Sequence, residues 1–293
     1  MYAIMGITGQ VGSAVAEALL AKNKQVRAVL RNPQKADQWR ERGAEIALAD
    51  FNDAEALTAA LHQVEGVFVM LPPEFAPSPG FPEARSVIDA VSKALLAARP
   101  SRAVYLSSIG AQRTSGLGLV TALHLLEEAV LSLPIPGASL RAGWFMENSL
   151  WDVPAARDQG KLFSYLQPLD KSFALVATED IGRIAAETLL EDWTGSRILE
   201  VAGPERYSPF QIAVAFAAAL HRPVQAVAVP RATWQDAFVA NGTPPDRTAD
   251  RIAMLDGFNS GWIDFGVQGT ERRTGTITLQ EVITSLVSHP SVS

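Results

Sequence analysis

The sequence predicts an α/β fold, a doubly wound parallel sheet followed by a smaller C-terminal α+β lobe. Short β-rich runs alternate with helical stretches through the first half of the chain, which is the pattern of parallel βαβ units. A glycine-rich turn joins the first of these runs to the first helical stretch. Beyond residue 141 the rhythm changes, since Trp and Phe become more frequent and helices are predicted to outnumber strands. This change predicts the second lobe.

The elements of the first half follow one another in strict alternation. Apolar, β-branched runs predict strands at residues 2–5, 25–30, 45–48, 66–71, 102–106 and 138–141. Amphipathic stretches predict helices at residues 12–21, 33–43, 53–63, 83–98 and 119–131. Pro33 suits the first position of a helix, and Pro72-Pro73 ends the fourth strand. A proline-rich loop then precedes the fourth helix.

The second half predicts a helix at 179–191, a strand at 198–202, a helix at 209–220, a strand at 224–229 and further helices. We expect residues 1–143 to form the cofactor-binding domain and residues 144–293 the smaller substrate-binding lobe. The lobes should pack closely, with some later segments returning to the first sheet, because no flexible linker separates them. Their cleft should lie at the carboxyl ends of the strands, where open α/β sheets bind ligands.

Composition narrows the classes of function. Hydrophobic residues make up 48% and charged residues 19% of the 293 residues, which is typical of a globular protein. The formal net charge of -6 disfavours a nucleic-acid partner, whose phosphates require clustered Lys and Arg. The chain has no cysteine, which excludes disulfides and thiolate chemistry. Its histidines lack metal-ligand spacing, so we expect no metal; they are His62, His124, His221 and His289.

The apolar runs are too short for a membrane span, the longest covering residues 212–220. Only Met1 precedes the first strand, so no signal peptide is expected. We therefore expect a cytoplasmic protein that acts on a small-molecule substrate without a membrane partner. A homodimer or a protein partner is left open.

The turn Gly6-Ile7-Thr8-Gly9-Gln10-Val11-Gly12 is the first candidate site. It follows a strand and opens a helix, the context that a dinucleotide-binding turn requires. Gly6 permits the tight turn, Gly9 lets the backbone approach a pyrophosphate, and Gly12 lets helix and strand pack closely. The helix N-terminus would then present its free N–H groups to phosphate, with Thr8, Gln10 and Val11 in the same turn. The alternative is a glycine-rich turn without a ligand.

The end of the second strand decides between the two nicotinamide cofactors. Cofactor sites for NAD place a carboxylate there to hold the ribose 2′-hydroxyl. This chain instead has Arg31, with Lys35 close behind, so NADP(H) is favoured over NAD(H). An exposed arginine without a ligand is the alternative. Asp50 and Phe51, after the third strand, are placed to contact the adenine, although Asp50 could equally serve as a turn or helix-cap residue.

These residues resemble the NmrA-like family, an atypical branch of the short-chain dehydrogenase/reductases, over most of the chain. The order of several motifs carries the resemblance: the glycine turn, Leu30-Arg31-Asn32-Pro33, Ala49-Asp50-Phe51, Phe68-Val69-Met70-Leu71-Pro72-Pro73, Tyr105-Leu106-Ser107-Ser108, His124-x-x-x-Glu128 and the stretch 140–148. The resemblance implies a Rossmann domain with a small C-terminal lobe, a preference for NADP, and either a reductase or a redox-sensing regulator. It also implies that Met70, Leu71, Pro72, Gly143, Trp144 and Phe145 line the cofactor.

The catalytic pair of ordinary short-chain dehydrogenases is absent. Their Tyr-x-x-x-Lys motif lets the phenol pass a proton to a nascent alkoxide. The four tyrosines of this chain are followed four residues later by Gly6, Ile109, Leu169 and Gln211. Ser107 and Ser108 remain as groups that could hydrogen-bond the substrate or the nicotinamide ribose. They could also simply satisfy local backbone groups.

Three further features have two interpretations each. His124 and Glu128 lie one helical turn apart, as an acid–base pair or as an ordinary surface pair. Trp144 and Phe145 could form a wall of the nicotinamide or acceptor site, or be core aromatics between the lobes. The stretch 254–265 could line an apolar pocket or form lobe core.

The favoured function is an NADPH-dependent reductase of a flat or conjugated acceptor such as a quinone. A reduced quinone is a stabilised oxyanion, so a positioned acid matters less than it does for a simple ketone. The alternative is a non-catalytic NADP(H) redox sensor. A nucleotide-sugar epimerase or dehydratase is less favoured, because that chemistry also uses the absent pair.

Overall fold

Parallel strands and flanking helices make up most of the computed structural model, which describes residues 1–288. The strands are β1 Tyr2–Met5, β2 Val26–Leu30, β3 Glu45–Leu48, β4 Gly66–Val69, β5 Arg102–Ser108, β6 Gly137–Ala142, β7 Trp144–Phe145, β8 Lys161–Ser164, β9 Phe173–Val176, β10 Ser196–Ala202, β11 Arg206–Tyr207, β12 Gln225–Ala228 and β13 Glu271–Thr274. The α-helices are α1 Gln10–Ala21, α2 Asp37–Glu41, α3 Ala54–Ala60, α4 Pro82–Ala98, α5 Thr121–Val130, α6 Val153–Gln159, α7 Thr178–Leu190, α8 Pro209–Leu220, α9 Trp234–Ala240, α10 Ala249–Ser260 and α11 Leu279–Ser288.

The central sheet has eight strands in the order β13-β10-β6-β5-β4-β1-β2-β3. Its neighbouring strands pair in parallel, so all their carboxyl ends lie at one edge. The direction of chain progress reverses beside β1, since β2 lies on one side of it and β4 on the other. Ligands of doubly wound sheets bind at such a switch point. The turn after β1 and the loop after β4 therefore position the site.

Each face of the sheet is covered by helices, which explains why the central strands β1 and β4 are apolar and buried along their whole length. In β1, Tyr2 and Ile4 belong to the core cluster beneath α1 and α7, whereas Ala3 and Met5 belong to the cluster beneath α3 and α4. A Cβ at Gly182 would lie 2.3 Å from the Cβ of Ala14, so a glycine permits the close packing of α7 on α1.

A third core cluster lies in the C-terminal lobe, around Phe216, Trp234 and Phe238. Two small sheets accompany it, one of order β11-β9-β7 and one of order β12-β8. The chain then returns to the first sheet, because α7, β10 and β13 lie beyond residue 143 and complete the large sheet and its helical layer. The boundary at residue 143 stays a prediction.

Two local differences from the sequence prediction have physical causes. The predicted helix at 33–43 is a 3-10 turn, Pro33–Lys35, followed by the short helix α2, because the Asn32 side chain accepts a hydrogen bond from the Gln34 N–H and caps the turn. The first helix begins at Gln10, two residues earlier than predicted, with Gly9 as its N-cap. This earlier start brings the helix N-terminus to the centre of the glycine turn.

No helix among the described residues is long and apolar enough to cross a membrane. Within residues 1–288, no group of three or more His, Cys, Asp or Glu side chains is arranged to hold a metal ion. His289 lies outside the described residues.

Candidate cofactor and acceptor site

The turn after β1 is held in shape by two glycines. Gly6 has a φ of +68°, in the left-handed region that favours glycine, and its carbonyl accepts the Gly9 N–H at 2.9 Å. A Cβ at Gly12 would lie 2.2 Å from the Gly6 carbonyl oxygen. Gly6 and Gly12 are therefore required by the protein's own backbone packing.

Gly9 is different, because nothing in the fold requires a glycine there. Its φ of -95° and ψ of 172° suit any residue. A Cβ at Gly9 would be 3.4 Å from the Gly6 carbonyl oxygen and would meet no other described atom within 4 Å. The space in front of Gly9 is open, as the approach of a bulky group to the backbone would require.

The first turn of α1 supplies donors to that space. Because α1 begins at Gln10, the N–H groups of Gln10, Val11 and Gly12 have no acceptor within the helix. Thr8 and Gln10 are exposed, whereas Val11 is buried, with its side chain in the core cluster beneath α1. These groups fit a pyrophosphate, which binds readily to a helix N-terminus.

Arg31 stands at the end of β2 without an acidic partner. Its guanidinium carbon lies 5.5 Å from the centroid of the Phe51 ring, and no carboxylate in the described part of the chain lies within 4.0 Å of its nitrogens. Lys35, four residues later, is also exposed. Two cations at this strand end, one of them positioned by an aromatic ring, suit the 2′-phosphate of NADP.

Asp50 serves as a turn residue and keeps a free oxygen. Its Oδ1 accepts the Asn52 backbone N–H at 2.9 Å and the Asn52 Nδ2 at 3.1 Å. These hydrogen bonds, with a smaller contribution from Arg31, lower the pKa of Asp50. Neither bond uses Oδ2, which can accept from an adenine amino group. Phe51 is 6% exposed, so its ring belongs to the core, where it packs against the guanidinium of Arg31.

The loop after β4 meets the glycine turn across the switch point. A Cβ at Gly6 would lie 2.4 Å from the sulfur of Met70, so these two residues are in direct contact. Met70 and Pro72 are half-buried, and Leu71 is buried. The loop therefore lies directly beside the glycine turn at the carboxyl ends of the strands.

The two serines after β5 have different surroundings. Ser107 is 2% exposed and its hydroxyl donates to Oε1 of Glu127 at 2.6 Å, so it faces the protein interior. Ser108 is half-buried and donates to the Ile109 carbonyl at 3.0 Å. Of the two hydroxyls, that of Ser108 is the one within reach of a ligand at the strand end.

His124 contacts the loop after β5 with one nitrogen and Glu128 with the other. Its Nδ1 lies 2.9 Å from the Ala111 carbonyl oxygen, which can only accept, so Nδ1 carries the hydrogen. Its Nε2 lies 3.6 Å from Oε2 of Glu128, whose side chain is 63% exposed. His124 thus anchors the loop while its Nε2 remains the nitrogen that can exchange a proton.

Residues 143–145 place two aromatic rings on opposite sides of the lobe interface. A Cβ at Gly143 would lie 2.6 Å from the Ala174 carbonyl oxygen, so only glycine fits there. Trp144 packs edge-on against Phe258 in the C-terminal lobe, with ring centroids 5.1 Å apart. Phe145 packs against the core of the large sheet. Both residues are half-buried, so each is a core aromatic that keeps part of its surface accessible.

The stretch 254–265 is mainly lobe core. Leu255, Phe258 and Ile263 are buried in the C-terminal cluster. Gly257 lets Ile263 pack against α10, since a Cβ there would lie 2.7 Å from Ile263 Cδ1. Met254 and Phe265 are half-buried and lie at the margin of this core.

Sequence reasoning missed several charged groups in the interior. Glu147 accepts the Thr178 N–H with both carboxylate oxygens, at 2.9 and 3.0 Å, and so caps α7; burial raises its pKa. Asp152 is half-buried in the 3-10 segment before α6, and loss of solvation raises its pKa to about 7. Glu127 and Arg141 form a buried pair. The sequence did contain a signal for this pair, because Arg141 is a charged residue within the otherwise uncharged strand β6.

Comparison with known proteins places this geometry among reductases. Quinone oxidoreductase 2 of Escherichia coli (strain K12) is 31% identical over 258 residues, which are 87% of each chain. NAD(P)H azoreductase of Xenophilus azovorans is 27% identical over 256 residues, 87% of this chain and 86% of that protein. The crystal structure of the Escherichia coli NADPH-dependent quinone oxidoreductase complexed with NADPH superposes with a TM-score of 0.77 at 27% identity, covering 98% of this chain and 99% of that one.

The family model points to the same group of proteins. It matches residues 2–258, which include the glycine turn, Arg31 and the segment around Trp144. The extent of this match, together with the 31% identical relative, shows that the chain belongs to the NmrA-like family.

Proposed function

We propose that this chain is an NADPH-dependent oxidoreductase that transfers hydride to a small, flat, conjugated acceptor such as a quinone. The observation that carries the proposal is the open space in front of Gly9, where the fold needs no glycine and helix α1 offers unpaired N–H groups. Arg31, without an acidic partner, supports the choice of NADPH. The names of two relatives, a quinone oxidoreductase and an azoreductase, support the class of acceptor.

The residues around the cleft divide the binding of the cofactor among them. The N–H groups of 10–12 hold the pyrophosphate, Arg31 and Lys35 the 2′-phosphate, and Asp50 Oδ2 the adenine amino group. Residues 70–72 and 143–145, which follow β4 and β6, would line the nicotinamide. When bound, NADPH supplies the hydride from C4 of its ring.

The chain's contribution to the reaction is mainly orientation. Trp144 and Met70 confine the acceptor, which must approach the hydride to about 3–3.5 Å. The product of quinone reduction is a weakly basic oxyanion, so water, or the imidazolium form of His124 through its Nε2–H, can supply the proton after hydride transfer. The missing Tyr-x-x-x-Lys pair therefore favours this acceptor class over simple ketones.

A screen of steady-state NADPH oxidation with quinones, azo compounds and simple ketones tests the proposal. We expect turnover above about 1 s⁻¹ with a quinone and far slower turnover with ketones. The Gly9→Val variant is the control for oxidation that does not use the site. Absence of turnover with every acceptor, combined with different protease-protection patterns for NADPH and NADP⁺, would instead identify a redox sensor.

A further inference from the structure

Arg251 is a half-buried cation with aromatic neighbours and no acidic partner. Its guanidinium carbon lies 4.2 Å from the centroid of Phe238 and 5.9 Å from that of Phe75. Throughout residues 1–288, no carboxylate oxygen lies within 4.0 Å of its nitrogens. By contrast, Arg231 in the same lobe pairs with Asp256 at 2.8 Å. Burial lowers the pKa of Arg251, which shows that its charge has lost solvation without a compensating carboxylate.

Phe75 connects Arg251 with the cofactor edge of the sheet. It follows Pro72 by three residues, a distance that the chain spans in at most about 11 Å. Its ring is 55% exposed. Arg247 Nη1 donates to the Ala76 carbonyl at 3.4 Å and ties the same loop to the segment before α10. The loop that leaves the predicted nicotinamide site therefore ends over Arg251.

Helix α10 connects Arg251 with Trp144. Phe258 follows Arg251 by seven residues, which places both on one face of the helix about 10 Å apart. Phe258 in turn contacts Trp144, with centroids 5.1 Å apart. Met254 lies between them on this face and is half-buried. The separation of about 10 Å between Phe258 and Arg251 along α10 is comparable to the length of a substituted two-ring aromatic molecule.

Tyr165 adds a hydroxyl to the surroundings of Arg251. Its ring packs on Phe238, with centroids 5.2 Å apart, so Tyr165 and Arg251 share one aromatic neighbour. Burial raises the pKa of Tyr165, while Arg251 opposes this shift and Asp152 adds to it. The phenol thus keeps its proton at neutral pH and can donate to an oxygen of a ligand.

We propose that Arg251, Tyr165, Phe238 and Phe75 form an acceptor subsite that binds a flat aromatic molecule through an anionic oxygen substituent, a carboxylate or a sulfonate. The inference rests on the proposed function and specifies its substrate class. Arg251 forms a two-pronged contact with the anionic group, Tyr165 donates to it, and Phe75 covers the ring. The reducible end of the molecule is then directed toward Trp144.

Binding without turnover tests the subsite separately from the reaction. The probes are naphthalene-2-sulfonate and its neutral counterpart naphthalene-2-sulfonamide, titrated calorimetrically into the protein loaded with NADP⁺. We expect the sulfonate to bind about 10-fold more tightly or better, and Arg251→Met to remove this preference. The control Arg231→Met, in the same lobe, should keep it. Equal affinities in the wild type, or a preference retained in Arg251→Met, would overturn the proposal.

Two further measurements guard against a folding defect and distinguish failure of the subsite proposal from failure of the proposed oxidoreductase function. Arg251→Lys keeps the charge but not the two-pronged geometry, and should bind the sulfonate with intermediate affinity. In steady state, Arg251→Met should raise KM for 1,4-naphthoquinone-2-sulfonate about 10-fold relative to KM for 1,4-naphthoquinone. Reduction of both quinones with an unchanged KM ratio would refute the subsite alone. Sulfonate binding through Arg251 without reduction of any quinone would refute the oxidoreductase function alone.

Discussion

Arg141 and Glu127 form a two-pronged ion pair between β6 and α5. Nη2 of Arg141 lies 2.6 Å from Oε2 of Glu127, and Nε lies 3.0 Å from Oε1. The hydroxyls of Ser107 and Ser139 both donate to Oε1 at 2.6 Å. All four residues are at most 7% exposed. The network therefore joins two neighbouring strands to α5 directly beside the cofactor edge of the sheet.

Removing one member of this pair should be more harmful than removing both. Arg141→Met leaves Glu127 buried without its cation, and we expect a loss of about 3–5 kcal/mol in the free energy of unfolding. The double variant Glu127→Leu with Arg141→Met removes the unpaired charge and should recover most of that loss. Urea denaturation of the three proteins provides the comparison. A double variant as unstable as Arg141→Met would show that the loss comes from removing the pair itself and not from the unpaired charge of Glu127.

The fold class and the family were predicted from the sequence and are confirmed. Strand β1 is buried on both faces and leaves an uninterrupted apolar run, so it was located to the residue. The bounds of β3, a partly exposed strand at the edge of the sheet, were also predicted correctly. Strands β7 and β11 have two residues each and pair only with distant segments, so no local pattern identifies them. Strand β13 has the sequence Glu-Arg-Arg-Thr, and its charges are accommodated because it lies at the edge of the sheet.

The candidate site likewise contains some residues that the sequence identified and others that it did not. The glycine turn and Arg31 were recognisable because each follows a strand at a fixed offset. Arg251 and Tyr165 were not, since 86 positions separate them in sequence and only the packing of α9 and α10 brings them to the same ring. Ser107 was named as a ligand-binding group from its position at a strand end, but its orientation depended on Glu127. The roles of all these residues stay predictions.

Substitutions at Gly9 and Gly12 should distinguish a loss of cofactor binding from a loss of folding. Gly9→Val places its side chain in open space, so we expect a folded protein with a near-UV spectrum like that of the wild type. It should bind neither NADPH nor NADH, because the side chain occupies the space of the pyrophosphate. Gly12→Val should instead disturb the fold, since its Cβ would lie 2.2 Å from the Gly6 carbonyl oxygen. Retained cofactor affinity in Gly9→Val would show that the turn has another purpose.

Cofactor preference should depend on Arg31. We expect the wild type to bind NADPH more tightly than NADH, and Arg31→Ala to reduce this difference by about 1.5–3 kcal/mol. Affinity for NADH should change little, since NADH lacks the 2′-phosphate. Arg40→Ala, at an exposed arginine that pairs with Asp37, is the charge-matched control. Equal affinities of the wild type for the two cofactors in calorimetry would contradict this assignment.

Asp152 should make stability depend on pH. No hydrogen bond reaches its carboxylate from the described residues, and burial raises its pKa from 3.8 to about 7. A carboxyl whose pKa is raised by folding stabilises the protein below its unfolded pKa, and this contribution is lost as pH rises through the folded pKa. The free energy of unfolding of Asp152→Asn should thus rise relative to that of the wild type as the pH increases from 4 to 8, by on the order of 4 kcal/mol.

Urea denaturation at several pH values between 4 and 8 measures this difference. Asp158→Asn, at an exposed carboxylate on α6, is the matched control for removal of a charge. A constant difference between wild type and Asp152→Asn across the range would mean that the carboxyl is solvated or paired in solution.

Trp144 and His124 should contribute differently to quinone reduction. Trp144→Ala removes a wall of the cleft and its contact with Phe258, so we expect a loss on the order of 100-fold in kcat/KM from misplacement of the acceptor. Trp144→Phe retains a ring and should lose less. His124→Ala should cost less than Trp144→Ala with a quinone, because a general acid contributes its ~10²–10⁴-fold only where the product oxyanion is basic.

The two nitrogens of His124 allow its roles to be separated. Asn at position 124 keeps a donor near the place of Nδ1, and so can retain the hydrogen bond to the Ala111 carbonyl, but it has no counterpart of Nε2. If His124 acts by anchoring the loop after β5, His124→Asn should recover the activity that His124→Ala loses. If Nε2 transfers a proton, both variants should be equally impaired, and more so with a carbonyl acceptor than with a quinone. Steady-state kinetics with both acceptors, at saturating NADPH, distinguish the cases. Complete loss of quinone reduction in both variants, with NADPH affinity intact, would make His124 an obligatory acid and contradict a mechanism based on orientation.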